Sequence, residues 1–282
     1  MIALSHAKIN VSLKVVGKRE DGYHELEMIN LPLELHDVIE ITKIPNGSDT
    51  YIISDDHRLN IVRNNLCKKA VDALRAKYKF KDNFMIRIHK EIPFQAGLGG
   101  GSSNAATVLM SLNQILKLKA TDEDLIEIGK TIGADVPFFI KNKPALVTGI
   151  GEKLTEIKVK TPYYCLLVKP EKGLATKDVF DIAEKFPNVE INTNDVIKAL
   201  AEDDFKLLEK SIGNDLMKAS VSLLPDIGEL FSMIRNDGFL ASMMSGSGSC
   251  LYVLSKNQRN IKQAFRKYQK LGYIVKLTKI MA

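Results

Sequence analysis

The sequence predicts an α+β fold in two domains. Three observations point there: a strand-dominated first third, a glycine-rich loop between a strand and a helix, and a C-terminal run of strand, turn, strand, helix and strand. In the first third, segments 7–16, 26–35, 38–42 and 51–53 are apolar or alternating, with turn residues across 45–49. A helix is predicted over 64–78, with Asn64 as its candidate cap and Leu66, Ala70, Ala73 and Leu74 on one face. Phe84, Ile86 and Ile88 alternate with Met85, Arg87 and His89, which predicts the strand before the glycine loop. Ala105, Val108, Leu109 and Leu112 have the spacing of the helix after it. Thr121 with Asp124 forms a capping-box start for a further helix running to Ile132. Past 149–153 the pattern changes. A buried-type strand at 163–168 precedes helices near 194–200, 214–220 and 226–235. Strands at 240–244 and 250–254 then flank S-G-S-G-S, followed by a helix at 258–270 and a strand at 273–277. The expected domains are 1–155 and 156–282.

Composition narrows the function. With 282 residues, 45% hydrophobic and 26% charged, the chain has enough apolar material for its own cores. Three cysteines, Cys67, Cys165 and Cys250, have neither C-x-x-C nor paired spacing, so no disulfide framework or zinc site is expected and a reducing cytoplasm fits. Lys8, Lys14, Lys18 and Arg19 interrupt the apolar residues near the N-terminus. No signal-peptide core forms, and no later apolar run is long enough for a bilayer. The formal charge of +6 is dispersed without a basic, aromatic-interleaved block, so neither nucleic acid nor membrane is expected as a partner. An anionic small molecule accounts for the charge equally well.

The stretch 93–106, P-F-Q-A-G-L-G-G-G-S-S-N-A-A, carries four glycines and two serines. Glycines let backbone N–H groups approach an anion, and a helix start adds unpaired donors and the positive end of its dipole. The loop lacks the lysine and spacing of a P-loop, and Ser102 stands where a dinucleotide fingerprint has its third glycine. Tight helix-on-sheet packing is the structural alternative to phosphate binding.

Three segments occur together in this order: A-K-I-N with G-K-R-E-D-G-Y-H-E-L in 7–26, the glycine loop, and M-S-G-S-G-S-C at 244–250. The combination resembles the GHMP kinase superfamily, which includes galactokinase, homoserine kinase, mevalonate kinase and phosphomevalonate kinase. Its first segment is similar to the branch that phosphorylates cytidine diphosphate methylerythritol. The resemblance implies an N-terminal ribosomal-protein-S5-domain-2-like domain and a C-terminal ferredoxin-like α+β domain. It also implies a small-molecule kinase of the non-mevalonate isoprenoid route that uses ATP and Mg2+, as a monomer or homodimer. A mevalonate-pathway kinase, diphosphomevalonate decarboxylase or an RNA-binding module are the other readings.

By resemblance, Gly97, Leu98, Gly99, Gly100, Gly101, Ser102, Ser103 and Asn104 form the ATP-phosphate loop. Ser103 helps position the magnesium ion, and no definite protein metal ligand is named. Asp135, in G-A-D-V-P, matches the catalytic aspartate that takes or orients the hydroxyl proton. On residue pattern alone, it caps a helix with Pro137 in the first turn. Lys8 lies in an apolar strand and must turn outward or meet a counter-charge; the resemblance pairs it with Asp135 and the reacting centre. Asn10 shares its face and is a substrate hydrogen-bonding partner. Tyr23 and Phe180 are implied to stack on the pyrimidine, while His24 reads its edge and Thr176 bonds nearby. Without the resemblance, His24 is a surface residue and Phe180 a helix-face core residue. Gly246, Ser247 and Gly248 match the third motif, beside the substrate diphosphate, although S-G-S-G-S is by itself a tight strand connection. Asn65 and Lys90 are candidate adenine contacts.

Overall fold

A computed structural model describes residues 1–20, 22–45, 49–56 and 65–282. The expected cap Asn64 and part of the 45–49 turn lie outside the described residues. The chain forms two compact units assembled from separate segments. One holds Met1–Ala7, His36–Ile92 and Gly99–Asn142; the other holds Lys8–Leu35, Pro93–Leu98 and Lys143–Ala282. Two long strands, β1 (Ile2–Lys18) and β2 (His24–Ile44), contribute residues to both.

In the first unit, β2 pairs antiparallel with β4 (Asn83–His89), from Val38 opposite His89 to Ile44 opposite Asn83. The short β3 (Tyr51–Ser54) runs parallel to β4. Phe84, Ile86 and Ile88 are buried, as their alternation predicts. A helical layer follows: α1 (Leu66–Tyr78), α2 (Gly100–Leu116), α3 (Asp122–Ile132) and the short α4 (Val136–Lys141). Asn65 caps α1 by accepting the Cys67 N–H at 2.9 Å. The Thr121–Asp124 capping box is present in both directions, which contributes about 1 kcal/mol to helix stability.

In the second unit, the N-terminal part of β2 pairs with β5 (Ala145–Gly149), and β5 pairs with β6 (Lys153–Glu156). A four-stranded antiparallel sheet has the order β10 (Ile274–Lys279), β7 (Tyr164–Lys169), β9 (Leu251–Ser255), β8 (Ser242–Met244). All of β9 and Cys165–Lys169 of β7 are buried. Helices α5 (Thr176–Ala183), α6 (Thr193–Glu202), α7 (Phe205–Ser211), α8 (Met217–Leu223), α9 (Asp226–Asn236) and α10 (Gln258–Lys270) complete it. Ile261, Ala264 and Tyr268 are the buried face of α10.

Three departures from the sequence pattern have physical causes. The strands expected at 26–35 and 38–42 are one strand, because the polar break at His36 and Asp37 hides a buried, fully bonded Asp37 carboxylate. The helix expected from 214 starts at Met217, since Asn214 uses its side chain to accept the Leu216 N–H and to donate to two distant carbonyls. Elements α7, β5 and β6 are too short for periodicity to single them out, whereas the short α4 begins at the Asp135–Pro137 helix start that the residue pattern offers.

Within the second unit, Tyr252 on β9 is fully buried and donates from its hydroxyl to the Val11 carbonyl at 2.8 Å. Tyr252→Phe leaves that carbonyl without its partner at nearly constant volume. The expected loss is about 1–3 kcal/mol by urea unfolding; an unchanged midpoint would remove this bond from the account of how β1 is held.

Candidate active site

The glycine loop is shaped by backbone contacts as much as by its own residues. Its first half, Pro93–Leu98, belongs to the second unit. There the Lys8 N–H donates to the Leu98 carbonyl at 3.0 Å, which ties the loop to β1. Gly97 has φ +70, and a Cβ on it would lie 2.0 Å from the Ser245 carbonyl oxygen. Only glycine satisfies both demands. Ser245 closes the arrangement: its hydroxyl accepts the Asn10 N–H at 3.1 Å and donates to the Gly97 carbonyl at 2.9 Å.

Lys8 and Asn10 project from β1 and are both buried. Lys8 Nζ donates to Asn10 Oδ1 at 2.5 Å, and Asn10 Nδ2 donates to Asn30 Oδ1 at 2.6 Å. Lys8 therefore does not turn outward to solvent. Asn30, which the sequence pattern does not mark, fixes which end of the Asn10 amide faces the lysine. Its own Nδ2 is buried with no hydrogen-bond partner among the described residues. Such a donor costs about 1–3 kcal/mol and marks a place for a water or ligand acceptor.

The third motif is pinned from several directions. Asn214 Nδ2 donates to the Met244 and Gly246 carbonyls, each at 2.8 Å, and Ser220 Oγ donates to the Ser247 carbonyl at 3.0 Å. Gly246 and Gly248 adopt positive φ. Ser247 Oγ lies 3.0 Å from Thr176 Oγ1, so the motif and the start of α5 meet through their hydroxyls. The loop before α5 is fixed by the buried Lys169, whose ammonium donates to the Pro170, Glu171 and Lys172 carbonyls at 2.9, 3.0 and 3.0 Å.

The aromatic group contains one arrangement the sequence does not suggest. Phe180 is half-buried while Val179 takes the core position of α5. The ring stacked on Phe180 is the His24 imidazole, with centroids 5.1 Å apart and planes at 30°. His24 Nε2 lies 3.4 Å from Glu184 Oε1 without hydrogen-bond alignment. Lys18, 2.8 Å from that carboxylate, holds Glu184 below the ordinary carboxylate range. Tyr23 is 60% exposed.

In the first unit, α2 begins earlier than the serines. Its N-cap is Gly99 at φ 70, with no side-chain capping bond, and Gly100 and Gly101 open the first turn. The first-turn N–H groups of a helix have no intrahelical acceptor, and no side-chain capping hydrogen bond is made at this start. Ser103 and Asn104 are buried. Ser5 Oγ lies 2.8 Å from Ser103 Oγ and 2.7 Å from Asn104 Oδ1. An amide oxygen only accepts, so the single Ser5 proton goes to Asn104 and Ser103 supplies the other bond. That leaves the lone pairs of Ser103 available.

Lys90 is paired with the fully buried Asp37, and its Nζ would lie 3.3 Å from a Cβ on Gly100. Cys67 is buried nearby, and burial pushes its thiol up to about 12. Asn65 spends its side-chain oxygen on the α1 cap. Asp135 stands at the N-cap position of α4 with Pro137 in the first turn, yet its side chain makes no capping hydrogen bond. All three cysteines are free and buried, and no group of three or more His, Cys, Asp or Glu among the described residues could hold a metal ion. No helix among those residues is long and apolar enough to cross a membrane.

Comparison with known proteins settles the family. The profile described as GHMP kinases N terminal domain matches residues 65–143, and GHMP kinases C terminal matches 196–274. A 4-diphosphocytidyl-2-C-methyl-D-erythritol kinase of Clostridioides difficile is 36% identical over 96% of this chain and 93% of its own. The enzyme of that name from Clostridium botulinum (strain Hall) is 41% identical over 90% of each chain. The chain belongs to the 4-diphosphocytidyl-2-C-methyl-D-erythritol kinase family. A crystal structure of 4-(cytidine 5'-diphospho)-2C-methyl-D-erythritol kinase has TM-score 0.83 at 27% identity and covers 100% of both chains. Homoserine kinase from Cytophaga hutchinsonii, with TM-score 0.73 at 17% identity over 99% of this chain and 95% of that one, shares the fold. The fold is thus the two-domain α+β fold of the GHMP kinases, as the motifs imply.

Gly97→Ala is expected to destabilise the protein by about 2–4 kcal/mol, because a forbidden φ and a backbone overlap act together. Gly272→Ala, at φ +87 with nothing within 4 Å, is the control and should cost only about 1 kcal/mol. Equal losses in thermal or urea unfolding would show that Ser245 does not constrain the loop.

Proposed function

We propose that the protein transfers the γ-phosphoryl group of ATP to the 2-hydroxyl of 4-diphosphocytidyl-2-C-methyl-D-erythritol, in the cytoplasm, as a step of non-mevalonate isoprenoid synthesis. The observation that carries this reading is the open N-terminus of α2. A capped start contributes about 1 kcal/mol of stability, and here a left-handed Gly99 followed by two more glycines provides no side-chain cap. An anion completes such a terminus. Family membership supports the phosphate chain of ATP as that anion.

Phosphoryl transfer asks the protein chiefly for positioning and for charge stabilisation. Gly97 to Asn104 supply backbone donors to the phosphates. Asp135, which stands at the start of α4 in the G-A-D-V-P segment that resembles the family's catalytic motif, orients the acceptor hydroxyl and takes its proton. Lys8, steered by Asn10 and Asn30, steadies the charge on the transferring group. Magnesium, when bound, neutralises the phosphate oxygens and aligns them for in-line attack. The residues present suit an ion carried mainly by phosphate oxygens and water, with the Ser103 hydroxyl as the protein group that would reach it.

On the substrate side, Phe180 and Tyr23 offer ring faces to the cytosine, and His24, held against Phe180, reads its edge. Thr176, Ser247 and the backbone at Gly246 and Gly248 surround the diphosphate, with Asn10 toward the methylerythritol. The likeness to mevalonate pyrophosphate decarboxylase from Streptococcus pyogenes, 14% identical at TM-score 0.67, is one of fold and does not support a diphosphomevalonate substrate.

Purified protein with magnesium and ATP should release ADP with the cytidine diphosphate substrate and not with diphosphomevalonate or RNA. Release with diphosphomevalonate alone would reverse the substrate assignment. Asp135→Asn is expected to lower kcat by about 100-fold or more with ATP affinity nearly intact. A near-normal kcat would return Asp135 to a structural role. His24→Ala should cut discrimination between cytidine and uridine substrates by about tenfold or more; unchanged discrimination places base reading elsewhere.

A further inference from the structure

Asp37 is a fully buried carboxylate that no motif singles out. It lies on β2, one residue before the β2–β4 ladder begins at Val38 opposite His89. Its Oδ1 accepts the Glu91 and Ile92 N–H groups, each at 2.9 Å, and so carries the strand pairing on to the start of the glycine loop. Its Oδ2 binds the Lys90 ammonium, whose side chain is 9% exposed. The Lys90 N–H is itself held by Asp55 Oδ1 at 2.9 Å. Lys90 Nζ thus stands against Gly100, the first residue of α2, where a Cβ would come within 3.3 Å of it.

We propose that Asp37 is a positioning residue for the nucleotide: it fixes the Lys90 ammonium at the uncapped start of α2, where Lys90 meets the phosphate chain of ATP rather than its base. The inference rests on reading α2 as the ATP-phosphate site. An ammonium carries three donors. One is taken by Asp37, and the others remain for an anion beside the first-turn N–H groups. A point charge on a flexible four-carbon stem would otherwise sample many rotamers. The carboxylate removes that freedom before the nucleotide arrives, which lowers the ordering cost of binding.

A purely structural pair is the competing account. Buried ion pairs contribute little net stability over well-packed neutral groups. The two backbone N–H groups need only an acceptor, which an asparagine carbonyl would supply. Neither consideration calls for a full negative charge at Asp37. Holding a cation at a defined point does.

The test compares the unaltered protein with Asp37→Asn, Lys90→Met and the double variant, by calorimetric titration with ADP and separately with adenosine, alongside melting curves and the KM for each substrate. Asp37→Asn keeps the backbone acceptor and releases the lysine. ADP affinity should fall about tenfold in each single variant, as for loss of a charge-assisted hydrogen bond. The double variant should bind ADP no more weakly than Lys90→Met alone, because Asp37 acts through Lys90. Adenosine affinity and the KM for the cytidine substrate should not change.

Parallel losses for adenosine and ADP would overturn the phosphate assignment. Additive losses in the double variant, or ADP binding within about twofold of the unaltered protein in Asp37→Asn, would overturn the positioning role. If Asp37→Asn does not fold, the double variant still decides, since it leaves no buried ammonium without a counter-charge: weaker ADP binding than Lys90→Met alone overturns the proposal, and equal binding supports it. Failure of the unaltered protein to bind ADP would instead sink the nucleotide reading of the loop itself.

Discussion

One hydroxyl holds three motif segments of the second unit in register. Ser245 accepts a hydrogen bond from the Asn10 backbone and donates one to the Gly97 carbonyl, so β1, the glycine loop and the third motif are fastened at one atom. The approach is so close that Gly97 has no room for a Cβ. The polar side chains follow from this. With the backbone of Asn10 fixed, its amide can stand between Lys8 and Asn30, and the lysine is held within a mainly apolar strand. A free ammonium would otherwise stretch to water along its stem.

Helix α2 is built on the opposite economy. It is well anchored, with Ser103 through Leu109 buried along with Ser111 and Leu112, while its first turn has no side-chain cap. The buried apolar side chains there contribute about 1.5–3 kcal/mol each, enough to offset a missing cap worth about 1 kcal/mol. Polar residues set the frame: Ser5 organises Ser103 and Asn104, and Asp37 joins the end of one strand to the approach of the loop.

Much of this was legible in the chain itself. Period-two burial at Phe84, Ile86 and Ile88, the Thr121 capping box and the bounds of α10 follow local rules, and the structure reproduces them. The motif residues were legible as a set because glycines, a strand lysine and a D-x-P element are rare enough together to carry a resemblance. Less visible was which side chain meets which. Pairing of His24 with Phe180, the capping duty of Asn65 and the absence of a capping bond from Asp135 have no signature in spacing. The supporting polar residues Ser5, Asn30, Asp37 and Ser245 looked like ordinary strand or loop positions, and Asn214 like the start of a helix.

By itself, then, the sequence determined the fold class, the family motifs and the chemistry on offer, because periodicity, backbone permissiveness and residue type are properties of neighbours along the chain. Only the tertiary structure decided how that chemistry is oriented. Asn10 and Ser245 are 235 positions apart, and Asp37 and Ile92 are 55 apart. A hydrogen bond requires two groups within about 3 Å in a narrow range of angles, and linear order carries no information about that meeting until the strands between them have been packed.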